Sequence, residues 1–326
     1  MKPGKLNLIT DVPGLKVGNA EDMGAITGTT VILPDDPAVA AADVRGGGPG
    51  TREIDVMDPA NLVEYVHAIC LSGGSAFGLE AAGGVMSRLA SAQRGFPIGG
   101  FHVPIVPSAI LFDLMNGGDK AWGEDPPYRD LGKQAVDNAV TEFALGNAGA
   151  GLGATAGPLK GGLGSASIML DNGVTVGAIV AANPTGSVVM PDGRTFWAWA
   201  LELGDEFGGN PPPVARAEGG SPVSNAMPGA NTTIACVATD ATLSKGQAKR
   251  VATMAHDGFA RAIRPVHTPF DGDTVFALST ARQPAPDPAG LSQIGSAAAD
   301  CLARAIARAV WLAGDMGGMT SYRSSL

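Results

Sequence analysis

The pattern of apolar and polar residues predicts strands in the first two thirds of the chain. Residues 165–170 and 174–182 are rich in β-branched residues and are joined by Asp171-Asn172-Gly173. Asn and Gly accept positive φ angles, so this joint predicts a β-hairpin. Residues 6–33 contain short β-type runs separated by glycine turns, which predict a β-rich start.

The last third predicts the order strand, helix, strand, helix. Residues 232–239 form a β-branched run without a helix or strand breaker, and residues 274–279 form a second one. Between them, Ser244 and Gln247 make a capping box for a helix that should reach about Ile263. Apolar residues recur at helical spacing through 291–309, which predicts a long helix with one face on a sheet.

Glycine and proline mark the segments that should not be regular. Residues 43–53 contain three consecutive glycines and a proline and predict a loop that approaches another group closely. Residues 67–80 run from an apolar segment into a glycine turn, after which helical spacing begins. Residues 204–231 are so rich in Gly and Pro that we expect a linker there.

Composition points to a layered, tightly packed protein. Glycine accounts for 47 of 326 residues, roughly twice its usual share of about 7%. Aromatic residues make up only 5%. Packing should therefore depend on closely apposed small residues, as in layers of helices on sheets.

Charge and hydropathy exclude several classes of partner. Hydrophobic residues make up 45% and charged residues 16%, and no apolar run approaches the ~20 residues of a membrane helix. The net charge of −9, without runs of Lys or Arg, argues against a nucleic-acid partner. With no signal-peptide pattern at the N-terminus, we expect a cytoplasmic protein that binds a small molecule.

Three motifs suggest cofactor, metal or serine chemistry, and each fits a structural role better. Gly151-Leu152-Gly153 lacks the preceding strand and following helix of a dinucleotide site. Ser75 lacks the last glycine of a nucleophile elbow and reads as a helix start. The four histidines and the cysteines Cys70, Cys236 and Cys301 lack metal-ligand spacing. We expect structural histidines, reduced buried thiols, and neither metal nor cofactor.

The junction between Asn231 and Thr232 suggests a different kind of chemistry, catalysis by a threonine nucleophile. A threonine hydroxyl is a weak nucleophile, but a chain break before it would supply an α-amine with a pKa of about 7.7–8.0 as a neighbouring base. Here the Gly/Pro-rich segment ends and a predicted buried strand begins. On spacing alone, an ordinary threonine at a strand start is the more frequent situation.

Five separated blocks carry a resemblance to a known family. They are residues 44–53, residues 67–80, Asn183-Pro184, residues 231–234 and Asp271-Gly272-Asp273. Together they resemble the DmpA-type L-aminopeptidase/D-esterase family, most closely its nylon-oligomer hydrolase (NylC) subgroup. The resemblance implies a four-layer α/β/β/α sandwich made as one precursor, here a single domain over residues 1–326. Self-cleavage would give chains 1–231 and 232–326, assembled as a tetramer of heterodimers.

The resemblance also implies roles for particular residues. Thr232 would be the nucleophile, attacking first the carbonyl before it and later a substrate amide. Lys160 would tune its protonation or stabilise negative charge, and Asn183 would donate to the oxyanion. Asp271 and Asp273, which match the nylon-hydrolase pattern, would orient the threonine amine and hydroxyl. Each residue also has a structural reading, as a loop lysine, a turn asparagine and a turn-forming Asp-Gly-Asp.

The sequence does not determine the substrate, and it leaves two alternatives to amide hydrolysis. Phe77 stands where the nylon hydrolases carry a tyrosine, which affects substrate preference more than chemistry. A small peptide, an amino-acid amide or ester, or a 6-aminohexanoate oligomer would each suit the family. Self-cleaving ornithine acetyltransferases have Ala-Thr-Met-Leu at their junction, whereas Asn231-Thr232-Thr233-Ile234 favours hydrolysis. A glycine-rich binding module with an inert junction is the non-enzyme alternative.

Overall fold

The computed structural model describes residues 2–211 and 231–326. The helices in this part of the chain are α1 (Glu80–Ser91), α2 (Tyr128–Asp137), α3 (Lys245–Ala262) and α4 (Pro288–Leu312). The strands are β1 (Leu15–Asp22), β2 (Thr27–Pro34), β3 (Ala38–Val44), β4 (Thr51–Arg52), β5 (Tyr65–Val66), β6 (Ile69–Ser72), β7 (Phe96–Ile98), β8 (Phe101–Val103), β9 (Ser108–Ile110), β10 (Thr155–Ala156), β11 (Leu159–Lys160), β12 (Gly162–Met169), β13 (Thr175–Ala182), β14 (Ile234–Ala241) and β15 (Thr274–Gln283).

Two sheets form the centre of the described residues. One has the order β1-β2-β6-β9-β4, and the other has the order β12-β13-β14-β15-β3-β5. Helices α1 and α2 pack on the first sheet, and α3 and α4 pack on the second. The result is the α/β/β/α sandwich that the family resemblance implies, and this fold class is confirmed.

Three apolar cores separate these four layers, and strand β14 shows how the sequence produces them. Successive side chains of a strand point to opposite faces. Ala235 and Val237 accordingly join the core under α3 and α4. Ile234, Cys236 and Ala238 join the core between the two sheets. A third core lies beneath α1 and α2. Because β14 is buried on both faces, its first five residues, 234–238, are all apolar rather than alternating.

Most of the strongly patterned elements lie where the sequence predicts them. The hairpin of β12 and β13 and the helices α1 and α4 are confirmed. The Ser244 side chain accepts from the Gln247 N–H at the start of α3, which confirms the capping box. Cys70, Cys236 and Cys301 are free and buried. Within the described residues, no helix is long and apolar enough to cross a membrane.

Three boundaries differ from the sequence-based predictions. The predicted loop 43–53 is partly wrong, since Asp43 and Val44 belong to β3, which the facing strand β15 holds by backbone hydrogen bonds. The strand predicted from Thr232 begins two residues later, at Ile234. Of the predicted linker, residues 204–211 form turns and irregular chain, and residues 212–230 lie outside the described part.

Close backbone contacts account for part of the glycine content. Gly164 on β12 faces α4, and a Cβ added there would lie 1.9 Å from the Ala305 carbonyl oxygen. Gly132 on α2 meets α1 in the same way, with the Ala81 oxygen 2.1 Å from an added Cβ. These contacts leave no space for a methyl group, so a side chain would push the layers apart.

We expect Gly164→Ala to destabilise the protein by about 1–3 kcal/mol through overpacking against α4. The measurement is the midpoint of urea-induced unfolding. Gly246→Ala is the matched control, because an added Cβ on this exposed α3 residue meets nothing within 4 Å. The control should be neutral or stabilising by up to about 1 kcal/mol. Equal midpoints for the two variants would contradict the close packing of α4 on β12.

Candidate active site

The register of three neighbouring strands brings the two parts of the predicted site together. Strands β14 and β15 are parallel with Ile234 opposite Thr274, and the bridge between Asn231 and Asp271 continues that register. Thr232 therefore lies beside Gly272. Strand β13 runs antiparallel to β14, with Ala181 opposite Ile234.

Thr232 is buried at the start of β14, with its backbone and its hydroxyl both engaged. Its N–H donates to the Asn183 carbonyl oxygen at 2.8 Å, as the β13 register requires. Its Oγ1 donates to the carbonyl oxygen of Asn231 at 2.5 Å. The side chain is only 2% exposed. The hydroxyl is thus in direct contact with the peptide bond that precedes it.

Glycines allow the backbone to close around the threonine hydroxyl. A Cβ on Gly272 would lie 2.7 Å from Thr232 Oγ1 and 2.7 Å from the Gly48 oxygen. On the other side, a Cβ on Gly46 would lie 2.2 Å from the Asp273 nitrogen. The loop of three glycines predicted to approach something closely therefore packs against the Asp-Gly-Asp motif itself.

The two carboxylates bind backbone N–H groups around the threonine. Asp271 Oδ1 accepts from the Thr185 N–H at 3.0 Å, and its Oδ2 accepts from the N–H and hydroxyl of Thr268 at 3.1 and 2.5 Å. Asp273 Oδ1 accepts from the Thr233 N–H at 2.9 Å. Across residues 2–211 and 231–326, neither carboxylate makes a hydrogen bond to Thr232. They fix the surrounding backbone instead.

The environment of Asp273 differs from that of an exposed aspartate. Burial raises its pKa, and the neighbouring Asp271 carboxylate acts in the same direction. The hydrogen bond from His267 opposes both effects, with His267 Nδ1 2.7 Å from Asp273 Oδ2. Two acidic groups thus share a site from which water is largely excluded, and hydrogen-bond donors compensate for the lost hydration.

Asn183 and Lys160 hold opposite ends of one peptide unit. Asn183 Oδ1 accepts from the Thr155 N–H at 2.8 Å, while Lys160 Nζ donates to the Ala154 carbonyl oxygen at 2.9 Å. Asn183 Nδ2 donates to the Phe112 carbonyl oxygen at 3.0 Å. One hydrogen of the Asn183 amide is therefore already used. Lys160 lies on the short strand β11. In the described residues, the hydrogen bonds of its ammonium group all go to backbone carbonyls.

Lys160 is a buried ammonium with an unusual titration range. Burial lowers its pKa to about 7, and the Asp113 carboxylate opposes that shift. Burial also raises the pKa of Asp113, which accepts from the Thr27 hydroxyl at 2.6 Å and the Gly74 N–H at 2.8 Å. A lysine of this kind can change charge near neutral pH, a property that is frequent in catalytic sites.

The sequence analysis missed two residues of this region, Asp113 and His267. Asp113 stands in an unremarkable apolar context, and His267 was expected to be structural because it lacks ligand spacing. Tertiary structure brings Asp113 to the site, whereas His267 lies in the same loop as Asp273 and is directed toward it by the backbone conformation of that loop. In the described residues, no group of three or more His, Cys, Asp or Glu side chains is arranged to hold a metal ion.

The fold corresponds to that of a known class of proteins. A β-aminopeptidase of a Burkholderia species has a TM-score of 0.73 and 24% identity, covering 99% of this chain and 93% of that one. An L-aminopeptidase D-Ala-esterase/amidase from Ochrobactrum anthropi, described as a variant of the ntn hydrolase fold, has a TM-score of 0.70 and 22% identity, covering 97% and 89%. The described architecture is thus that of this class of hydrolases.

Sequence comparison gives the family. Peptidase family S58 matches residues 7–323, so the chain belongs to it and is a hydrolase. An uncharacterized aminopeptidase of Mycobacterium tuberculosis is 45% identical, covering 98% of this chain and 97% of that protein. A 6-aminohexanoate-oligomer endohydrolase of a Kocuria species is 33% identical, covering 85% and 76%. The resemblance to the DmpA and nylon-hydrolase group is confirmed.

We expect Asp271→Asn to lower the free energy of unfolding by about 1–3 kcal/mol, whatever its catalytic role. Both carboxylate oxygens accept N–H groups, and an asparagine amide would place an NH₂ against one of them. Asp192→Asn is the matched control. Asp192 Oδ1 accepts both backbone N–H groups, those of Arg194 and Thr195. Its Oδ2 accepts only from the Thr195 hydroxyl, which can accept a hydrogen bond from an asparagine NH₂ instead. Equal urea midpoints for the two variants would contradict this difference.

Proposed function

We propose that this hydrolase cleaves its own chain between Asn231 and Thr232 and then uses the freed Thr232 as an N-terminal nucleophile on amide substrates. The observation that carries the proposal is the contact of Thr232 Oγ1 with the Asn231 carbonyl oxygen at 2.5 Å. The hydroxyl is therefore adjacent to the carbonyl that it would attack. The N–H of Thr232, on the other side of the same peptide bond, is held by Asn183.

The proposed cleavage conserves atoms and protons. Thr232 Oγ1 forms a bond to the Asn231 carbonyl carbon, the bond from that carbon to the Thr232 nitrogen breaks, and the hydroxyl proton passes to the nitrogen. Water then hydrolyses the resulting ester: its oxygen joins the Asn231 acyl carbon, one proton regenerates the Thr232 hydroxyl, and the other leaves the new carboxylic acid for the α-amine, so that Asn231 ends as a carboxylate. In turnover the freed α-amine accepts the hydroxyl proton and returns it to the leaving amine.

The neighbouring residues take supporting roles in this proposal. Asp271 and Asp273 hold the backbone at residues 185 and 233 and would meet the new α-amine once the chain is cut. Asn183 has one amide hydrogen left for a developing oxyanion. Lys160, with its pKa of about 7, would gain or lose its positive charge near neutral pH and so change the electrostatic potential at Thr232.

The substrate range proposed is that of small peptides, amino-acid amides or esters, and 6-aminohexanoate oligomers. The names of the relatives, an aminopeptidase and an oligomer endohydrolase, support it. Membership of a peptidase family favours hydrolysis over acyl transfer from acetylornithine to glutamate. The exposed Phe77 ring, which packs edge-on against Trp122, is a candidate for substrate contact. A cytoplasmic location stays a prediction.

We predict that the purified protein consists of two chains, the smaller beginning Thr-Thr-Ile-Ala, and that Thr232→Val stays uncleaved and inactive. Valine preserves the shape of threonine but lacks the hydroxyl that both steps need. Intact mass, N-terminal sequencing and hydrolysis of an amino-acid p-nitroanilide and of a 6-aminohexanoate oligomer are the measurements.

Thr233→Val is the matched control for this experiment. The Thr233 hydroxyl is buried without a hydrogen-bond partner among the described residues, so its loss should leave both cleavage and turnover nearly unchanged. A Thr232→Val protein that is still cut before residue 232, or still turns over substrate, would rule out the proposed nucleophile.

We also propose that the protein forms a tetramer of cleaved heterodimers, and the hairpin of β7 and β8 is a candidate contact between copies. Phe96 pairs with Val103 and Ile98 with Phe101, so all four side chains share one face of the ribbon. Each is more than two fifths exposed. A contiguous exposed apolar surface of this kind is typical of an interface.

We predict that Phe101→Ser shifts the assembly toward smaller species, because it removes the most exposed apolar side chain of this hairpin. The measurement is molar mass by light scattering after gel filtration. Leu62→Ser is the control, since Leu62 is 94% exposed but lies outside the hairpin. A tetramer unaffected by Phe101→Ser would exclude the hairpin as a contact.

A further inference from the structure

His267 has a backbone conformation that calls for an explanation. It lies in the loop between α3 and β15 with φ at +52°, in the left-handed region that histidine adopts infrequently. Its N–H is 3.2 Å from Asp273 Oδ2, and its ring Nδ1 is 2.7 Å from the same oxygen. The unusual conformation thus points two nitrogen atoms of one residue at a single carboxylate oxygen. Strained conformations of this kind are frequent at functional sites.

Asp273 connects the histidine to the proposed nucleophile. While Oδ2 faces His267, Oδ1 accepts from the N–H of Thr233, the residue that follows Thr232. The carboxylate is buried and lies next to Asp271, and both conditions disfavour its charged form. A donor at Oδ2 favours the ionised form, and a fixed carboxylate holds the peptide after Thr232 in place.

The surroundings of the ring favour a proton on Nδ1 of His267 rather than on Nε2. Its Nε2 is buried and has no hydrogen-bond partner among the described residues. An Nε2–H without an acceptor would cost more than a lone pair without a donor. The ring packs on His256 and Phe259, with centroids 4.9 and 5.7 Å apart.

The charged groups beyond His256 do not supply a competing partner. Burial lowers the pKa of His256 to about 4, so that ring is neutral near pH 7, and its Nε2 lies 3.0 Å from the Asp43 carbonyl oxygen. The Asp43 carboxylate is paired with Arg45 and Lys249. Among the acidic groups on α3, on β3 and just before β15, the one that His267 contacts directly is therefore the Asp273 carboxylate.

We propose that His267 is a positioning residue for Thr232, donating from Nδ1 to Asp273 so that the ionised carboxylate holds the Thr233 N–H. This inference rests on the proposed role of Thr232. His267 itself need not touch the substrate, because it acts through Asp273.

The first test needs no activity. In uncleaved Thr232→Val protein with ¹⁵N-labelled histidine, ring correlation spectra report the tautomer of each histidine. We expect an Nδ1–H tautomer for His267 and an Nε2–H tautomer for His256, whose Nε2 faces a carbonyl oxygen. An Nε2–H tautomer of His267 overturns the proposal.

The second test compares two variants that both suit a left-handed backbone. His267→Asn keeps a nitrogen donor near the position of Nδ1, whereas His267→Gly removes the donor, and Asn and Gly both tolerate positive φ. We expect His267→Gly to slow self-cleavage and to lower kcat by about 10- to 100-fold with a smaller change in KM, the loss of one hydrogen bond to a charged group. His267→Asn should restore most of both rates.

The pH profile separates positioning from simple packing. Without the ring donor the pKa of Asp273 should rise further, so the acid limb of kcat should move to higher pH in His267→Gly and less so in His267→Asn. His102→Asn is the control and should keep the parent profile, because His102 lies on the face of the hairpin opposite Phe101 and Val103. Equal loss of rate in the Gly and Asn variants, with an unchanged acid limb, overturns the proposal.

Failure of the proposed nucleophile gives a different result from failure of this inference. If Thr232 is not the nucleophile, Thr232→Val is cleaved and active, while the tautomer of His267 is unaffected. If only the positioning role is wrong, Thr232→Val is inert, the Gly and Asn variants of His267 have equal rates, and their acid limbs match that of the parent protein.

Discussion

The parallel pairing of β14 with β15 is the constraint on which the site depends. Two adjacent parallel strands begin at the same edge of a sheet, so the residues just before them must lie side by side. With Ile234 opposite Thr274, the segment from Asn231 to Thr233 lies beside the segment from Asp271 to Asp273. A shift of one residue would place Thr232 against a carboxylate-bearing residue instead of Gly272 and would remove the space for its hydroxyl.

The site is held by backbone contacts more than by contacts between side chains. Asp271 and Asp273 accept N–H groups of residues 185, 268, 233 and 267. Lys160 and Asn183 hold the two ends of the peptide unit between Ala154 and Thr155. Since buried polar groups without partners are costly, each of these bonds helps to fix one geometry. The threonine thus lies among backbone groups that are each held by a hydrogen bond.

Small residues make this arrangement sterically accessible. Gly46 and Gly272 leave room for backbone atoms to approach within distances that any side chain would prevent. The backbone also packs closely between the layers, where Gly164 contacts α4. A protein built in this way has few positions at which a side chain can be added without moving a layer. Its glycine content is therefore a consequence of both its packing and its site.

The sequence by itself determined the elements whose local signals are strong. The Asn-Gly turn of the β12–β13 hairpin, the capping box of α3 and the periodicity of α4 depend on neighbouring residues only, and they were predicted correctly. The family, and with it the fold class, followed from short sequence motifs that can be recognised without a structure. The residues proposed for the site came from the same resemblance, with Thr232 marked by its place at the end of a Gly/Pro-rich segment.

Only the tertiary structure decided what those residues touch. Register between strands separated by some 40 residues, as for Thr232 and Gly272, depends on pairing across the sheet and leaves no local signal. For this reason the sequence could name Asp271 and Asp273 but not the backbone N–H groups, those of residues 185, 268, 233 and 267, from which they accept hydrogen bonds. Asp113 escaped notice for the same reason, and His267 did so because its hydrogen bond to Asp273, six residues further along the same loop, depends on a backbone conformation that has no sequence signature.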